Sequence, residues 1–203
     1  MLIRPNLPRW VLSGGPKSGK STIIAILRAE FGHVVHFLPE VCTLLHDHAG
    51  IIVPTPGTPS HHAYSRRITR MQIDLEDAAD DQAHADGKLL VCCDRGIVDN
   101  IAYLEGGEEE FERVTGVSCT EARGRYAGAH VLELAPRHVF VDPTHGFNPS
   151  RREGYDEALA LDGNTYGVWA PHPRCVRVTN ERGWDGKIHR VMTDVRQMLH
   201  DLG

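Results

Sequence analysis

A glycine-rich run early in the chain has the residue types and the spacing needed to hold a triphosphate. Residues 14–21 read GGPKSGKS, a complete G-x-x-x-x-G-K-[ST] pattern. Glycines let the backbone wrap around phosphates with its N–H groups pointing inward, and a following helix adds the positive end of its dipole. Lys20 can reach the β- and γ-phosphates, and the Ser21 hydroxyl can ligate Mg²⁺. The pattern therefore predicts a nucleoside triphosphate site with ATP or GTP and Mg²⁺ as cofactors. The predicted nucleotide-binding residues are Gly14, Gly15, Pro16, Lys17, Ser18, Gly19, Lys20, Ser21 and Thr22.

An acidic residue and a basic residue follow a second apolar run. Asp94-Arg95-Gly96 comes directly after LLVCC at 89–93, and ligands of doubly wound sheets gather at the carboxyl ends of strands. Asp94 could hold Mg²⁺ through water or accept a proton from a substrate hydroxyl, and Arg95 could bind phosphate or an anionic acceptor. The alternative is structural: Asp94 caps a helix near Ile97, and Arg95 pairs with it.

Glu40 lies at the end of another apolar run, HVVHFLP at 33–39. In that position its carboxylate could orient or deprotonate an acceptor hydroxyl. Glu40 could equally be the residue at which the following helix begins, since the N-terminus of a helix favours a negative charge. Both interpretations stay open at the level of sequence.

Two adjacent arginines mark a third candidate segment. Arg151 and Arg152 lie in SRRE at 150–153, near the expected beginning of a helix, where the helix dipole favours acids. An anion supplied from elsewhere would explain them, as when a lid closes over a triphosphate. We therefore predict a lid-like segment around 143–170. A solvated loop in which Glu153 neutralises the pair is the alternative.

The pattern of apolar residues indicates alternating strands and helices around these candidates. Strands are predicted at 10–13, 33–38, 89–93, 175–178 and either 130–134 or 138–141, and helices at 21–31, from 40, at 61–86 and at 186–202. The long helix carries Arg66, Arg67 and Arg70 early, either facing substrate or facing solvent. Alternation of this kind predicts an α/β fold, a parallel sheet covered by helices on both faces.

Composition narrows the classes of function. The chain has 203 residues, the size of a single domain, with 22 Lys+Arg against 27 Asp+Glu and a net charge of −5. An acidic surface argues against nucleic-acid binding.

We expect no membrane span, because no apolar run approaches about 20 residues. The opening MLIRPNLPRW is too short and proline-broken for a secretion signal, and the five cysteines form no C-x-x-C pair. We therefore expect a cytoplasmic protein.

Four stretches together resemble a known family. They are GGPKSGKST, the Pro39-Glu40 pair, DRGIVDNIAY at 94–103 and NPSRREGYDEALALD at 148–162. With them the chain resembles the NadR-like AAA ATPase/kinase group of P-loop proteins, whose relatives include nucleoside and nucleotide kinases. The resemblance implies a kinase-type P-loop NTPase fold with a five-stranded parallel sheet in the order 2-3-1-4-5. It also implies that Arg151 and Arg152 belong to the lid.

The resemblance also implies residue roles. Glu40 would be the base, Asp94 and Arg95 would contact phosphate and Mg²⁺, and Gln72 would read an acceptor base. The loop 180–187 would contact the base of the nucleotide. The expected catalytic residues are Lys20, Glu40, Asp94, Arg95, Arg151 and Arg152, the acceptor-binding residues are Glu40, Gln72 and Arg95, and the Mg²⁺ ligands are Ser21 and Asp94.

Two functions fit these expectations. The first is a Mg²⁺-dependent phosphotransferase that moves the γ-phosphoryl group of ATP to a small, nucleoside- or nucleotide-like acceptor. The second is a regulatory switch or NTPase that binds ATP or GTP and acts through a protein partner, with the proline-rich stretch 53–60 as the segment that reorders.

Overall fold

Five parallel strands form one sheet in the computed structural model, which describes residues 6–142 and 154–203. The strands are β1 (Arg9–Gly14), β2 (Val35–Leu38), β3 (Leu90–Asp94), β4 (Gly128–Leu132) and β5 (Cys175–Val178). Their spatial order is β2-β3-β1-β4-β5, with every neighbouring pair parallel. This confirms the predicted α/β fold and its strand order 2-3-1-4-5.

Helices connect the strands. They are α1 (Lys20–Phe31), α2 (Val41–Ala49), α3 (Pro59–Ala85), α4 (Gly107–Thr115), α5 (Cys119–Gly124), α6 (Arg137–Phe140), α7 (Tyr155–Trp169) and α8 (Gly183–Leu202), with a 3₁₀ helix at Ile97–Tyr103. None of the helices within the described ranges is long and apolar enough to cross a membrane.

The sheet is buried on both faces, as its continuous apolar runs predict. Trp10 and Leu12 of β1 face a core formed with α1 and α8. Val11 faces the opposite core, formed with α3, the 3₁₀ helix and α7. Side chains alternate between the faces of a strand, so one short strand supplies both cores. The same alternation in β3 puts Cys92 in the first core and Cys93 in the second.

The structure resolves the choice between the two candidate fourth strands. Gly128–Leu132 is fully buried and pairs with both β1 and β5. The competing run 138–141 instead belongs to the short helix α6 and the residue after it, because Pro136 precedes a turn in which its carbonyl accepts from Phe140 N at 2.9 Å. Arg66, Arg67 and Arg70 of α3 are exposed, which agrees with the solvent-facing interpretation.

The predicted lid region is described only in part. Arg151 and Arg152 lie outside the described residues, so their role stays a prediction. The second half of the region is α7, a helix that buries Ala158, Asp162 and Trp169. This helix packs against β1, β4 and the 3₁₀ helix.

Candidate active site

The glycine-rich run forms the turn between β1 and α1. Three of its residues have a positive φ, Gly14 at 150°, Lys17 at 53° and Gly19 at 88°. A Cβ at Gly19 would also lie 2.3 Å from the outer ring atoms of Trp184, so this partly exposed ring would have to move. The left-handed conformation favours a glycine at this point. The tight turn places Lys20 at the beginning of α1, buried at the carboxyl edge of the sheet.

Lys17 points away from the phosphate turn. Its Nζ donates to the carbonyl oxygen of Phe140 at 2.6 Å and lies 5.1 Å from the centre of that ring. Its own carbonyl oxygen accepts from Ala135 N at 3.3 Å. These contacts fix the turn to the segment after β4. Lys17 therefore holds the strained conformation of the turn and is not aimed at the phosphates.

Lys20, Glu40 and Asp94 meet at the edge of the sheet. The Lys20 ammonium group donates to the Asp94 carboxylate and lies 3.6 Å from Glu40 Oε2. Burial raises the pKa of Asp94, and the adjacent Lys20 opposes that rise. Asp94 therefore contacts the lysine of the phosphate turn and not the helix near Ile97. The structure thus brings together the lysine of the phosphate turn and the two strand-end carboxylates, which lie far apart in the sequence.

Glu40 precedes α2 but its side chain does not cap that helix. Its Oε2 accepts from Thr43 Oγ1 at 3.1 Å, and its Oε1 lies 2.7 Å from Arg95 Nε. The carboxylate is thus held between two cations, Lys20 and Arg95. Glu40 thus occupies the N-cap position of α2, but its carboxylate is engaged by the two cations and not by the N–H groups of the helix.

Arg95 is buried in a left-handed conformation, with φ 67°. Besides Glu40, its Nη1 donates to Asp99 Oδ1 at 3.2 Å. Burial acts to lower the pKa of Arg95, but Tyr103 and the surrounding carboxylates raise it well above its ordinary value. The guanidinium is therefore a fixed positive charge beside the phosphate turn. It does not pair with Asp94, as the structural alternative required.

Asp99 is a site residue that the sequence reasoning missed. Its buried carboxylate accepts hydrogen bonds from Ser13 Oγ on β1, from Gly96 N at 2.9 Å and from Trp169 Nε1 on α7 at 3.2 Å, in addition to Arg95. The available signal was a second aspartate within DRGIVDN, one helical turn after Arg95. Asp99 joins β1, the turn after β3 and α7, and so it fixes the position of Arg95.

A cavity of about 230 Å³ opens next to this charged group. Its wall includes Glu40 and residues of α2 on one side, α3 on a second side, and the segment from Arg95 to Tyr103 on a third. Pro16 of the phosphate turn also borders it. The cavity is therefore a place where a small molecule would contact Glu40 and Arg95 close to the phosphate turn.

Gln72 lines the cavity, but its amide group is engaged with the protein. Its Nε2 donates to Glu76 Oε1 at 3.0 Å and to the Arg95 carbonyl oxygen at 3.4 Å. Both neighbours are acceptors, so the amide nitrogen must face them. Only the Gln72 oxygen remains for a molecule in the cavity, which limits the base-reading role that the family resemblance implies.

Two other polar side chains of α3 line the cavity. His61 Nδ1 is buried and has no hydrogen bond within the described part of the protein, and the buried Tyr64 hydroxyl interacts with the Cys42 thiol. Burial lowers the pKa of His61, which favours a neutral ring. Unsatisfied buried polar groups are costly, so a polar ligand that reached them would recover that cost.

The donor set fits Mg²⁺ bound mainly through phosphate. Ser21 is exposed in the first turn of α1, and Asp94, the last residue of β3, contacts the neighbouring Lys20. Across residues 6–142 and 154–203, no group of three or more His, Cys, Asp or Glu side chains is arranged to hold a metal. Mg²⁺ in such sites takes one or two protein oxygens and completes its shell with phosphates and water. The hard oxygen ligands of Ser21 and Asp94 suit that role.

The sequence model of a protein family described as AAA domain matches residues 9–185, which include the phosphate turn and every strand. The chain belongs to this AAA domain family. Among solved structures, the thymidylate kinase from Ehrlichia chaffeensis aligns with 95% of this chain and 100% of its own, with a TM-score of 0.55 and 18% identity. At that identity the likeness shows the fold alone, the kinase type of P-loop fold. Family and fold together support a nucleotide-binding P-loop NTPase domain.

A curated relative shares part of the sequence of this AAA domain. The 1,4-alpha-glucan branching enzyme GlgB of Leifsonia xyli subsp. xyli is 31% identical over 104 residues. The match covers 44% of this chain and 14% of the branching enzyme. The chain thus spans a small part of that enzyme's length, and glucan branching is a property stated of that enzyme.

Proposed function

We propose that this AAA domain protein is a Mg²⁺-dependent phosphotransferase that moves the γ-phosphoryl group of ATP or GTP to a small, nucleoside- or nucleotide-like acceptor. The observation that carries the proposal is the position of Glu40. Its carboxylate borders the cavity and lies 3.6 Å from Lys20 Nζ, at the phosphate turn. An acceptor in the cavity would therefore meet a carboxylate at the point where the γ-phosphate is held.

The groups at this point can perform an in-line transfer. An acceptor hydroxyl oxygen attacks the γ-phosphorus, its proton passes to the Glu40 carboxylate, and the bond between the γ-phosphorus and the β-γ bridging oxygen breaks to release the diphosphate. Lys20 and the amides of the turn hold the phosphates, while Mg²⁺ bound by Ser21 and Asp94 would neutralise charge on them. Arg95 supplies a fixed positive charge for an anionic group on the acceptor.

The test is release of ADP or GDP in the presence of Mg²⁺, with and without pools of nucleosides, nucleotides and cofactor precursors. We expect one pool to stimulate release well above the basal rate. Glu40→Gln should then lower kcat by about 10²–10⁴-fold because it removes a general base, while leaving triphosphate affinity nearly unchanged.

Glu109→Gln is the matched control, since Glu109 is exposed on α4 and does not line the cavity. A rate that no pool stimulates, or a Glu40→Gln variant with unchanged kcat, would contradict the proposal.

A regulatory switch acting through a protein partner is the second candidate. The observation in its favour is the exposure of Ile51, Ile52 and Val53, at 43%, 76% and 50%, directly after α2. Val53 also borders the cavity. A switch requires the stretch 53–60 to change with the γ-phosphate, so limited proteolysis should cut it differently with diphosphate and with a triphosphate analogue. Equal cleavage would count against this candidate.

A further inference from the structure

One of the chain's four lysines lies buried in contact with the phosphate turn. Lys187 comes from α8, is 2% exposed, and is not part of the G-x-x-x-x-G-K-[ST] pattern. Its Nζ donates to the Glu133 carbonyl oxygen at 2.8 Å and to the Ser18 carbonyl oxygen at 3.4 Å. A buried ammonium group is costly unless it is well paired. Both of these acceptors are backbone carbonyl oxygens, and the one of Ser18 lies inside the phosphate turn.

The contact with Ser18 bears on the direction of the next amide. In a trans peptide the carbonyl oxygen and the N–H point in opposite directions, and the peptide that carries the Ser18 carbonyl also carries the Gly19 N–H. A cation that holds the Ser18 oxygen therefore directs the Gly19 N–H away from itself. An N–H of the phosphate turn that points away from the protein interior is free to donate to a phosphate.

The same helix turn touches the phosphate turn a second time. Trp184 lies three residues before Lys187, and its ring packs on Gly19 so closely that a Cβ would lie 2.3 Å from it. Residues three apart share one face of a helix. The beginning of α8 thus contacts two successive residues of the phosphate turn, Ser18 through a hydrogen bond and Gly19 through an aromatic ring.

We propose that Lys187 is a positioning residue for nucleotide binding: its ammonium group holds the Ser18–Gly19 peptide with the Gly19 N–H facing the phosphates and keeps a positive charge in contact with the turn. The inference rests on the proposed binding of a nucleotide at the phosphate turn. It adds a second cation, supplied by α8, to the one that the sequence pattern provides in Lys20.

The charged groups around Lys187 predict how this role depends on pH. Burial lowers the pKa of Lys187 to about 8, Glu133 and Asp162 oppose that shift, and Arg177 adds to it. The Glu133 carboxylate accepts from Asn180 N at 2.6 Å, and Asp162 pairs with Arg177. Lys187 is therefore charged below its pKa and becomes neutral as the pH rises through about 8. Bound phosphates favour the charged form, so nucleotide binding is accompanied by proton uptake.

The experiment measures the affinity for ADP with Mg²⁺ by calorimetry between about pH 7 and about pH 10. The wild-type protein should lose roughly tenfold in affinity across this range, the loss that one unit of change in pKa on binding produces. Lys187→Met should bind about tenfold more weakly at pH 7 and show no such decline. Lys187→Arg keeps a charge that does not titrate, so it should restore binding and stay flat to pH 10.

Lys88→Met is the matched control. Lys88 also donates to backbone carbonyls, Gly32 at 2.8 Å and His33 at 3.2 Å, but these lie at the opposite edge of the sheet. This variant should keep the wild-type pH profile. Proton uptake, obtained by repeating the titrations in buffers of different ionisation enthalpy, should appear in the wild type and in Lys88→Met and disappear in both Lys187 variants.

Two results would overturn the inference while leaving the proposed function standing: wild-type affinity for ADP that does not change with pH, or Lys187→Met binding as tightly as the wild type. Failure of the wild type to bind ADP at any pH would overturn the inference and the proposed function together. If Lys187→Met does not fold, the comparison of wild type with Lys187→Arg decides, because only the wild type should lose affinity as the pH rises.

Discussion

Asp99→Asn should destabilise the protein strongly, because all four partners of Asp99 are donors. Gly96 N, Trp169 Nε1 and the Arg95 guanidinium can only donate, and Ser13 Oγ donates as well. An asparagine offers one acceptor oxygen and one amide group that must donate. Whichever way the amide is turned, its nitrogen faces at least one N–H that cannot accept.

The size of the effect follows from the burial of this cluster. Asp99 is 2% exposed, and the substitution also leaves Arg95 without one of its carboxylates. Removing one partner of a buried ion pair costs about 3–5 kcal/mol. For a chain of this size, 1 kcal/mol corresponds to about 2–4 °C in Tm, so we expect Tm to fall by about 6–20 °C. Thermal and urea unfolding followed by circular dichroism measure it.

The control is Asp81→Asn, at an exposed position of α3. This substitution changes the same chemical group and should alter the free energy of unfolding by less than about 0.5 kcal/mol. If Asp99→Asn lowers the free energy of unfolding by less than about 1 kcal/mol, the Asp99 carboxylate does not accept all four hydrogen bonds. Asp99 would then not fix the position of Arg95.

Further outcomes follow from other contacts. Asp194→Ala removes the partner of His130 Nε2 at 2.7 Å and leaves a buried N–H unpaired. It should cost about 1–3 kcal/mol in urea unfolding, and no loss would mean that this bond does not anchor α8. Gly96→Ala places a Cβ 2.7 Å from the Tyr126 ring. It should cost about 1–3 kcal/mol through overpacking, and an unchanged Tm would refute that close approach. Burial, reinforced by neighbouring carboxylates, raises the pKa of Cys42 to about 11. Iodoacetamide should therefore label it roughly a hundredfold more slowly than an ordinary cysteine at pH 8, and rapid labelling would contradict its placement in the cavity wall.

Much of the fold could be predicted because apolar runs and glycines are local signals. LLVCC indicated a strand buried on both faces, and its carboxyl end at Asp94 followed directly. The choice between 130–134 and 138–141 could not be made from apolar content, since both runs have it. The choice depends on pairing with β1 on one side and β5 on the other. These pairings join segments that are far apart in the chain, so the periodicity of one segment cannot predict them.

The residues of the candidate site were likewise predictable where they depend on local sequence, and not where they depend on distant contacts. The phosphate turn is contiguous in sequence, so its pattern was visible. Asp99 and Lys187 act through partners far along the chain, Trp169 for the first and Ser18 for the second. A buried lysine on a helix cannot be distinguished from an exposed one by its neighbours in sequence. For Gln72, the family resemblance implied contact with an acceptor base, but not that Glu76 and the Arg95 carbonyl oxygen occupy its amide nitrogen.

The central claim is that a phosphoryl group passes to a molecule held in the cavity beside Glu40. The most direct test incubates the wild-type protein with Mg²⁺ and ATP carrying a radiolabelled γ-phosphate, together with separate nucleosides and nucleoside monophosphates, and resolves the products by chromatography. We predict that the label appears on one of these acceptors, in an amount equal to the ADP formed. Label recovered only as inorganic phosphate with every acceptor would contradict the account.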